Sequence, residues 1–188
     1  MGELVAVEHV TLDGVMQSPG RPDEDTRDGF TAGGWAGPYT DAVAMEQVGK
    51  HMATSSALLL GKRTYLDLYG HWPKQTDGNP FTEVLNNARK YVLSTTMTSL
   101  PWQNSTLLTG VDEVPAVKER LDGDLVVLGS GVLLASLGAM VDRYVLSTYP
   151  LTLGEGRRLP WPAGTFELVS SVPTGTGVII ATYARTTS

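Results

Sequence analysis

Two glycine-containing stretches have residue types that can hold a phosphate group. The first is Gly129-Ser130-Gly131, which separates an apolar run at 125–128 from a second at 132–137. Glycines at such a joint let the backbone turn sharply and leave the first amides of a following helix uncovered. Because uncovered amides attract anions, the stretch predicts a phosphate-binding turn. The alternative is a tight strand-to-helix turn that binds nothing.

The second stretch, Gly61-Lys62-Arg63-Thr64, follows the apolar run 57–60 and places two cations at the start of a predicted helix. Ser94 and Thr95 add hydroxyl groups at the end of another predicted strand. Together these groups suit a phosphorylated nucleotide, including one that carries a 2′-phosphate. Taken singly, the cations also fit a solvated surface, and the hydroxyls an ordinary strand end.

Familiar motifs with similar residues are excluded by their spacing. Arg63, and not Ser or Thr, follows Lys62, so the stretch is not a P-loop. The Gly-x-Ser-x-Gly spacing of a hydrolase nucleophile fails around Ser130. The three-glycine Rossmann fingerprint is absent as well.

Strands and helices alternate along the chain. The runs 57–60 and 125–128 are apolar without alternation, which is typical of strands buried on both faces of a parallel sheet. Residues 4–12 predict a first strand, and 165–172 with 178–185 predict an antiparallel hairpin. We therefore expect an α/β fold of three layers, α-β-α, with a mostly parallel central sheet and antiparallel strands at the C-terminus.

The candidate residues all follow the carboxyl ends of predicted strands. Ligands of open parallel sheets bind beyond those ends. We therefore expect residues far apart in the sequence to meet at one edge of the sheet. They are Asp13-Gly14, Gly61 to Thr64, Ser94-Thr95 and Gly129 to Gly131.

A long segment, 13–39, separates the first strand from the first helix. It is rich in glycine, proline and charge, and a loop of this length is usually functional or mobile. Thr40 can cap the helix, Asp41 can complement its dipole, and the helix is predicted to run to about residue 56. Its inward stripe would be Ala44, Met45, Val48 and Met52.

Composition limits the classes of protein. The 188 residues, 41% hydrophobic and 18% charged, suit one globular domain over 1–188. A net charge of −6 opposes a nucleic-acid or anionic-membrane partner. Without cysteines, a signal peptide or a long apolar run, the chain is expected to be cytoplasmic. His9, His51 and His71 stand apart, so we expect no metal site.

A set of short motifs runs through nearly the whole chain. They are Thr11-Leu12-Asp13-Gly14, Gly33-Gly34-Trp35, Leu58 to Tyr65, Trp72-Pro73, Lys90 to Thr95, Leu128 to Gly131, Val141-Asp142 and Pro150 to Gly156. In this order they resemble the dihydrofolate reductase-like family. The resemblance is greatest to the reductase domain of the bacterial bifunctional riboflavin-biosynthesis deaminase/reductase and its small stand-alone relatives.

The resemblance implies a dihydrofolate reductase-type fold that binds NADPH, often as a homodimer. The residues implied around the adenosine end and its 2′-phosphate are Gly61, Lys62, Arg63, Thr64, Ser94 and Thr95. Those implied at the pyrophosphate are Gly129, Ser130, Gly131, Val132 and Leu133. Thr11 and Gly14 would lie by the nicotinamide. The residues implied at the substrate are Leu12, Asp13, Met16 and Trp35.

Reduction of a C=N or C=O bond also needs a proton, for which two carboxylates are candidates. Dihydrofolate reductases place one on the first helix, where this chain has Glu46. Helical spacing puts Glu46 about 140° from the apolar stripe, which favours a flank or solvent position. Asp13 is the second candidate, and a turn with Gly14 is its alternative role. Trp35 either covers a flat heterocycle or packs the loop against the core.

We therefore expect an NADPH-dependent oxidoreductase that transfers a hydride to a small heterocycle of pterin, pyrimidine or flavin-precursor type. The alternatives are the 5-amino-6-(5-phosphoribosylamino)uracil reductase of riboflavin biosynthesis, a non-catalytic nucleotide-binding module, and an interaction protein without nucleotide affinity. In the segment 13–39 acids outnumber Arg21 and Arg27, which argues against a phosphorylated substrate.

Overall fold

The computed structural model describes residues 2–76, 78 and 80–186, and an eight-stranded sheet forms its centre. The strands are β1 (Leu4–Thr11), β2 (Ser55–Gly61), β3 (Lys90–Leu93), β4 (Ser105–Leu108), β5 (Asp124–Leu128), β6 (Arg143–Tyr149), β7 (Phe166–Pro173) and β8 (Ile179–Arg185). The helices are α1 (Ala42–Thr54), α2 (Lys62–His71), α3 (Pro80–Asn87), α4 (Val114–Glu119) and α5 (Gly131–Leu137). The one-domain prediction also includes positions 1, 77, 79, 187 and 188, which lie outside the described residues.

The strands lie in the order β4-β3-β2-β5-β1-β6-β8-β7. Every neighbouring pair from β4 to β6 is parallel, whereas β8 runs antiparallel to both β6 and β7. The predicted α/β fold, with a mostly parallel sheet and antiparallel C-terminal strands, is therefore confirmed. The apolar run of β5 lies in the middle of the sheet, where Leu125 and Val127 are fully buried.

Apolar side chains form one cluster on each face of the sheet. On the first face, Val114 of α4 and Leu134 of α5 pack with residues of β1 and β5. On the second face, Ala44 of α1, Tyr65 of α2 and Leu85 of α3 pack with residues of β2. The chain leaves β1 toward the second face and leaves β5 toward the first. In open α/β sheets a ligand crevice forms at such a change of face.

Asp41 holds the start of α1. Its Oδ1 accepts a hydrogen bond from the Ala44 amide at 2.8 Å, and its Oδ2 accepts one from the Thr176 amide at 3.2 Å. The cap is therefore Asp41 and not Thr40. The Thr40 amide instead closes the preceding 3-10 turn by donating to the Gly37 carbonyl.

The predicted apolar stripe of α1 is only partly buried. Ala44 packs against the core, but Met45 is 40% exposed, so its prediction as a buried residue is wrong. The side chains of Val48 and Met52 lie outside the described part of the chain. Gln47 faces a cavity between α1 and the sheet. The helix thus covers a cavity as well as the core, which explains a polar residue on its inner side.

Replacing Asp41 by alanine removes both the α1 cap and the contact with the Thr176 amide. We expect Asp41→Ala to lower the melting temperature by a few degrees, because amide donors at the helix start lose their acceptor. Asp122→Ala, at an exposed aspartate, is the matched control and should leave the melting temperature unchanged. Equal melting temperatures for the two variants would contradict the capping role.

Candidate active site

A cavity of about 1070 Å³ lies at the carboxyl ends of the central strands. The predicted cofactor residues that line it are Gly61, Lys62, Arg63, Thr64, Ser94, Thr95, Gly129, Ser130, Gly131, Val132 and Leu133. Of the predicted substrate residues, Met16 lines it. The structure therefore brings these distant parts of the sequence to one place.

Ser130 joins the two predicted phosphate-binding turns. Its Oγ accepts a hydrogen bond from the Gly61 amide at 3.1 Å and lies 2.6 Å from Thr64 Oγ1. Gly129 and Ser130 have φ angles of 57° and 66°, which turn the chain sharply after β5. A Cβ on Gly61 would lie only 2.9 Å from Ser130 Oγ, so the close approach requires glycine at that position.

Both turns lead into helices whose first amides have no acceptor within the helix. In α5 the first helical bond runs from the Leu134 amide to the Ser130 carbonyl at 2.9 Å, so the amides of 131–133 precede it. Gly61 caps α2 in an extended conformation, and the amides of 62–64 hold the equivalent positions. Two sets of amide donors with no acceptor among the described residues thus border the same cavity.

Lys62 differs from the other cations at the cavity. Its Nζ donates a hydrogen bond to Thr96 Oγ1 at 2.8 Å. The other cations form ion pairs: Arg27 and Arg63 with Asp25, Arg157 with Asp28, and Arg158 with Asp13. Among the cavity-lining cations in the described part of the chain, Lys62 alone has no acidic partner. Its charge is therefore available to an anionic ligand.

Ser94 and Thr95 differ in what their hydroxyl groups do. Ser94 is 6% exposed, and its Oγ accepts hydrogen bonds from the amides of Thr96 and Met97 at 3.2 and 3.1 Å. Ser94 therefore closes the turn after β3. Thr95 is exposed at the cavity and leaves its hydroxyl accessible.

Asp13 holds the turn at the end of β1. Its carboxylate accepts hydrogen bonds from Thr11 Oγ1 at 2.5 Å and from the amides of Leu153 and Gly154 at 3.2 and 2.8 Å. The bond from Thr11 has the largest effect, and together these bonds lower the pKa of Asp13 to about 2. A group with this pKa is ionised at neutral pH, so it has no proton to donate.

Other predicted site residues also lie away from the cavity. Glu46 is 63% exposed and pairs with Lys50. Trp35 is 7% exposed, its Nε1 donates to the Gln17 carbonyl at 2.8 Å, and its ring meets that of Tyr149 edge-on. Trp35 thus packs the loop against the core. The predicted site residues that do not line the cavity are Thr11, Leu12, Asp13, Gly14, Trp35 and Glu46.

Two adjacent residues of β1, Glu8 and His9, line the cavity and were not predicted as site residues. Glu8 is 2% exposed, and burial raises its pKa well above the usual range. His9 Nδ1 lies 2.7 Å from Tyr149 Oη, and burial lowers the pKa of His9 to about 4, so its imidazole is neutral at neutral pH. The signal in the sequence is a pair of polar residues inside the apolar run of the first strand.

The part of the cavity beneath α1 is largely apolar. Its lining includes Val126, Val145 and Ile180, all buried side chains of the sheet. Ser147 and Gln47 add polar groups there. An apolar wall with few polar groups is typical of a site for a flat organic ligand.

Solved structures share this architecture. A dihydrofolate reductase from Enterococcus faecalis, complexed with NADP(H) and RAB-propyl, has a TM-score of 0.67 and 18% identity, covering 99% of this chain and 98% of that one. A putative riboflavin biosynthesis protein from Shewanella sp. PV-4 has a TM-score of 0.65 and 19% identity. The match covers 98% of this chain and 99% of the Shewanella protein. These likenesses define a dihydrofolate reductase-like fold.

A larger protein contains the same fold as one part. The Thermotoga maritima diaminohydroxyphosphoribosylaminopyrimidine deaminase/5-amino-6-(5-phosphoribosylamino)uracil reductase has a TM-score of 0.64 and 14% identity. The match covers 98% of this chain and 57% of the Thermotoga protein. This chain therefore spans little more than half the length of that bifunctional protein.

The family of the chain follows from a match of its sequence to a family model. Residues 3–180 match the model of the RibD C-terminal domain. The chain therefore belongs to the RibD C-terminal domain family, and the resemblance stated from its motifs is confirmed. Among curated proteins, none matches it.

Two features are absent from the described residues. None of their helices combines the length and the apolar character that crossing a membrane requires. Their side chains contain no group of His, Cys, Asp and Glu suited to a metal ion. The side chain of His51 lies outside the described part.

Removing the Ser130 hydroxyl tests the joint between the two turns. We expect Ser130→Ala to lower the free energy of unfolding by about 1 kcal/mol, because the Gly61 amide loses its acceptor. Ser136→Ala is the matched control, since that hydroxyl donates to the Val132 carbonyl on the exposed side of the same helix. Urea unfolding measures both, and equal losses would contradict a special role for Ser130.

Proposed function

We propose that this protein is an NADPH-dependent reductase that transfers a hydride to a small heterocycle. The observation that supports the proposal most directly is the pair of hydrogen bonds that Ser130 Oγ forms with the Gly61 amide and with Thr64 Oγ1. They bring the turns 61–64 and 129–131 together on one cavity. Membership of the RibD C-terminal domain family supports a reductase. NADPH supplies the hydride when it is bound.

The residues present fit a dinucleotide phosphate. The cavity of about 1070 Å³ is as large as the largest common ligand pockets, so it has room for a dinucleotide and a substrate. The free amides of 131–133 suit the pyrophosphate, and those of 62–64 with Lys62 suit the 2′-phosphate. A Cβ on Gly131 would lie 3.1 Å from Met16 Sδ, so a larger residue would crowd this wall.

The chain itself would contribute to the reaction by positioning the cofactor and the substrate and by excluding water. Hydride transfer requires donor and acceptor carbons to be aligned in a dry site, and the cofactor carries the bond-breaking chemistry. Val126, Val145 and Ile180 would exclude water from a flat ring. The neutral imidazole of His9 and the hydroxyl of Ser147 would hydrogen-bond its polar edge.

The charges at the cavity favour a substrate without a phosphate group. Arg27, Arg157 and Arg158 border it, but each already pairs with a carboxylate. A phosphorylated substrate would have to displace those carboxylates and leave them close to its own charge. The 5-amino-6-(5-phosphoribosylamino)uracil reductase activity stays the alternative that the family supports.

NADPH oxidation tests the proposed activity. We expect turnover, followed as loss of NADPH absorbance, with at least one member of a panel of dihydrofolate, folate, pyrimidines, quinones and the phosphoribosylaminouracil. NADPH is also expected to raise the melting temperature by mass action. Binding without turnover on the whole panel would favour the nucleotide-binding module. Absence of any NADPH effect on the melting temperature would contradict both functions.

Removing the two cations at the start of α2 tests the placement of the 2′-phosphate. We expect the double variant Lys62→Ala, Arg63→Ala to weaken NADPH binding by about 10- to 100-fold and NADH binding far less, since hydrogen bonds to charged groups contribute about 1.5–3 kcal/mol. Thermal-shift titration with each cofactor measures the affinity of the wild-type protein and of the variant for NADPH and for NADH.

The control for that variant removes the same charge elsewhere. The double variant Lys50→Ala, Lys74→Ala loses two exposed lysines that do not line the cavity. It should leave both cofactor affinities unchanged. Equal weakening of NADPH and NADH in the Lys62, Arg63 variant would show that the 2′-phosphate lies elsewhere.

A further inference from the structure

The residues His9, Ser147 and Ile180 form a row across the sheet at the cavity. The register pairs His9 of β1 with Ser147 of β6, and Ser147 with Ile180 of β8. All three line the cavity, and they lie on the second face of the sheet. On the other side of His9 the sheet is open, because the pairing of β1 with β5 ends at Val7 and Leu128. His9 therefore lies where the wall of the sheet meets the ligand space.

Tyr149 holds the imidazole of His9 through one of its two ring nitrogens. Tyr149 Oη lies 2.7 Å from His9 Nδ1, and the two ring centroids are 5.6 Å apart. The phenol is itself packed: it is 8% exposed, and Trp35 and Tyr39 meet its ring edge-on at centroid distances of 5.2 and 5.7 Å. A side chain that is already held loses little conformational freedom when a ligand binds. The imidazole is thus oriented before a ligand arrives.

The same hydrogen bond decides which nitrogen carries the imidazole proton. Burial raises the pKa of Tyr149 to about 12, so the hydroxyl keeps its proton, and burial lowers the pKa of His9 to about 4, so the ring is neutral. Among the described residues, His9 Nδ1 is the one hydrogen-bond partner of Tyr149 Oη. Because a buried hydroxyl donor without an acceptor is costly, the phenol donates to Nδ1. The proton of the neutral ring is then on Nε2.

Nε2 of His9 is the ring nitrogen that a ligand can reach. The two nitrogens of an imidazole point to different sides of the ring, so Nε2 faces away from Tyr149. It makes no hydrogen bond to the described residues, and it is not among their fully buried polar atoms that lack a partner. His9 lines the cavity and is partly exposed. The wall thus presents an N–H donor for which the described residues supply no acceptor.

The same wall has no acid that could bind a cationic ring. Successive residues of a strand point to opposite faces, so Glu8 lies on the first face, with Ala6 and Leu146. The other polar groups of the wall, Gln47 and Ser147, are neutral. The remaining cavity-lining acids in the described part of the chain are engaged: Glu24 with the amides of Gly20 and Arg21, Asp25 with Arg27, and Asp67 with Arg21. A protonated amidine is bound best by a free carboxylate, whereas a carbonyl oxygen needs a donor.

We infer that His9 selects the substrate of this site by donating a hydrogen bond from Nε2 to a carbonyl oxygen of an uncharged heterocycle. The inference rests on the proposed reductase function and names the substrate class of that site, a ring with a lactam, imide or quinone carbonyl. Gln47 and Ser147 can both donate and accept, so they tolerate different groups on the same ring. An amino group in place of the carbonyl would set a donor against the Nε2 donor, which disfavours such a ring.

A matched pair of ligands tests this preference without turnover. The pair is pteridine-2,4-dione and 2,4-diaminopteridine, which carry carbonyl or amino groups at the same positions of one ring system. Each is titrated calorimetrically at neutral pH into the wild-type protein saturated with NADP⁺. We expect the dione to bind about 10-fold more tightly, because a hydrogen bond that one ligand makes and the other cannot contributes about that factor in affinity.

Variants of the two side chains connect the preference to His9. His9→Leu, which removes the donor, should abolish the difference between the two ligands, and His9→Gln, whose amide keeps a donor, should restore part of it. Tyr149→Phe keeps the aromatic ring but frees the imidazole proton to occupy either nitrogen, so the difference should shrink. His71→Leu removes an imidazole that does not line the cavity and should keep the full difference. A merely structural role of His9 would weaken both ligands alike and leave their ratio unchanged.

The outcomes separate the inference from the function on which it rests. Wild-type protein that oxidises NADPH with a member of the panel, but binds both pteridines equally, prefers the diamine or binds neither, overturns the role of His9 and leaves the reductase standing. A preference for the dione that persists in His9→Leu also overturns it. Wild-type protein that reduces no member of the panel overturns the reductase, whereas a preference that is lost in His9→Leu still supports recognition by His9.

Discussion

The site depends on one constraint in the sheet: β5 ends at Leu128, whereas the adjacent β1 continues to Thr11. Beyond this point the chain after β5 turns toward one face, and α1 covers the other. The last residues of β1 therefore border open space where a partner strand would otherwise lie. Because Ser130 then bonds the Gly61 amide, the two glycine turns are held at the mouth of the same gap.

Carboxylates fix the turns, the loop and the helix start that surround the sheet at this end. Asp13 fixes the turn after β1, Asp25 and Asp28 pair with arginines of the cavity wall, and Asp41 caps α1. Hydrogen-bond donors lower the pKa values of Asp13, Asp25 and Asp41, which makes these three groups poor sources of protons. Glu8 differs because its Oε1 is buried without a donor among the described residues, and burial raises the pKa of its carboxyl.

Two adjacent residues of α1 face different surroundings, one the solvent and the other the cavity. Successive residues of a helix point about 100° apart, so adjacent positions face different surroundings. Glu46 points to solvent and pairs with Lys50, whereas Gln47 lines the cavity. The first helix thus contributes an amide side chain to the cavity lining, and a buried acid of the lining lies on β1.

The sequence by itself determined the parallel sheet, the closing hairpin and the meeting of the glycine turns. These follow from local patterns, such as unbroken apolar runs, and from the rule that parallel strands end at one edge. The positions of Asp13, Trp35 and His9 were decided only by tertiary structure. Their behaviour depends on distant partners, the Gly154 amide for Asp13 and the Tyr149 ring for Trp35 and His9. No local pattern contains the burial and pairing that fix where a ring packs or whether an acid keeps its proton.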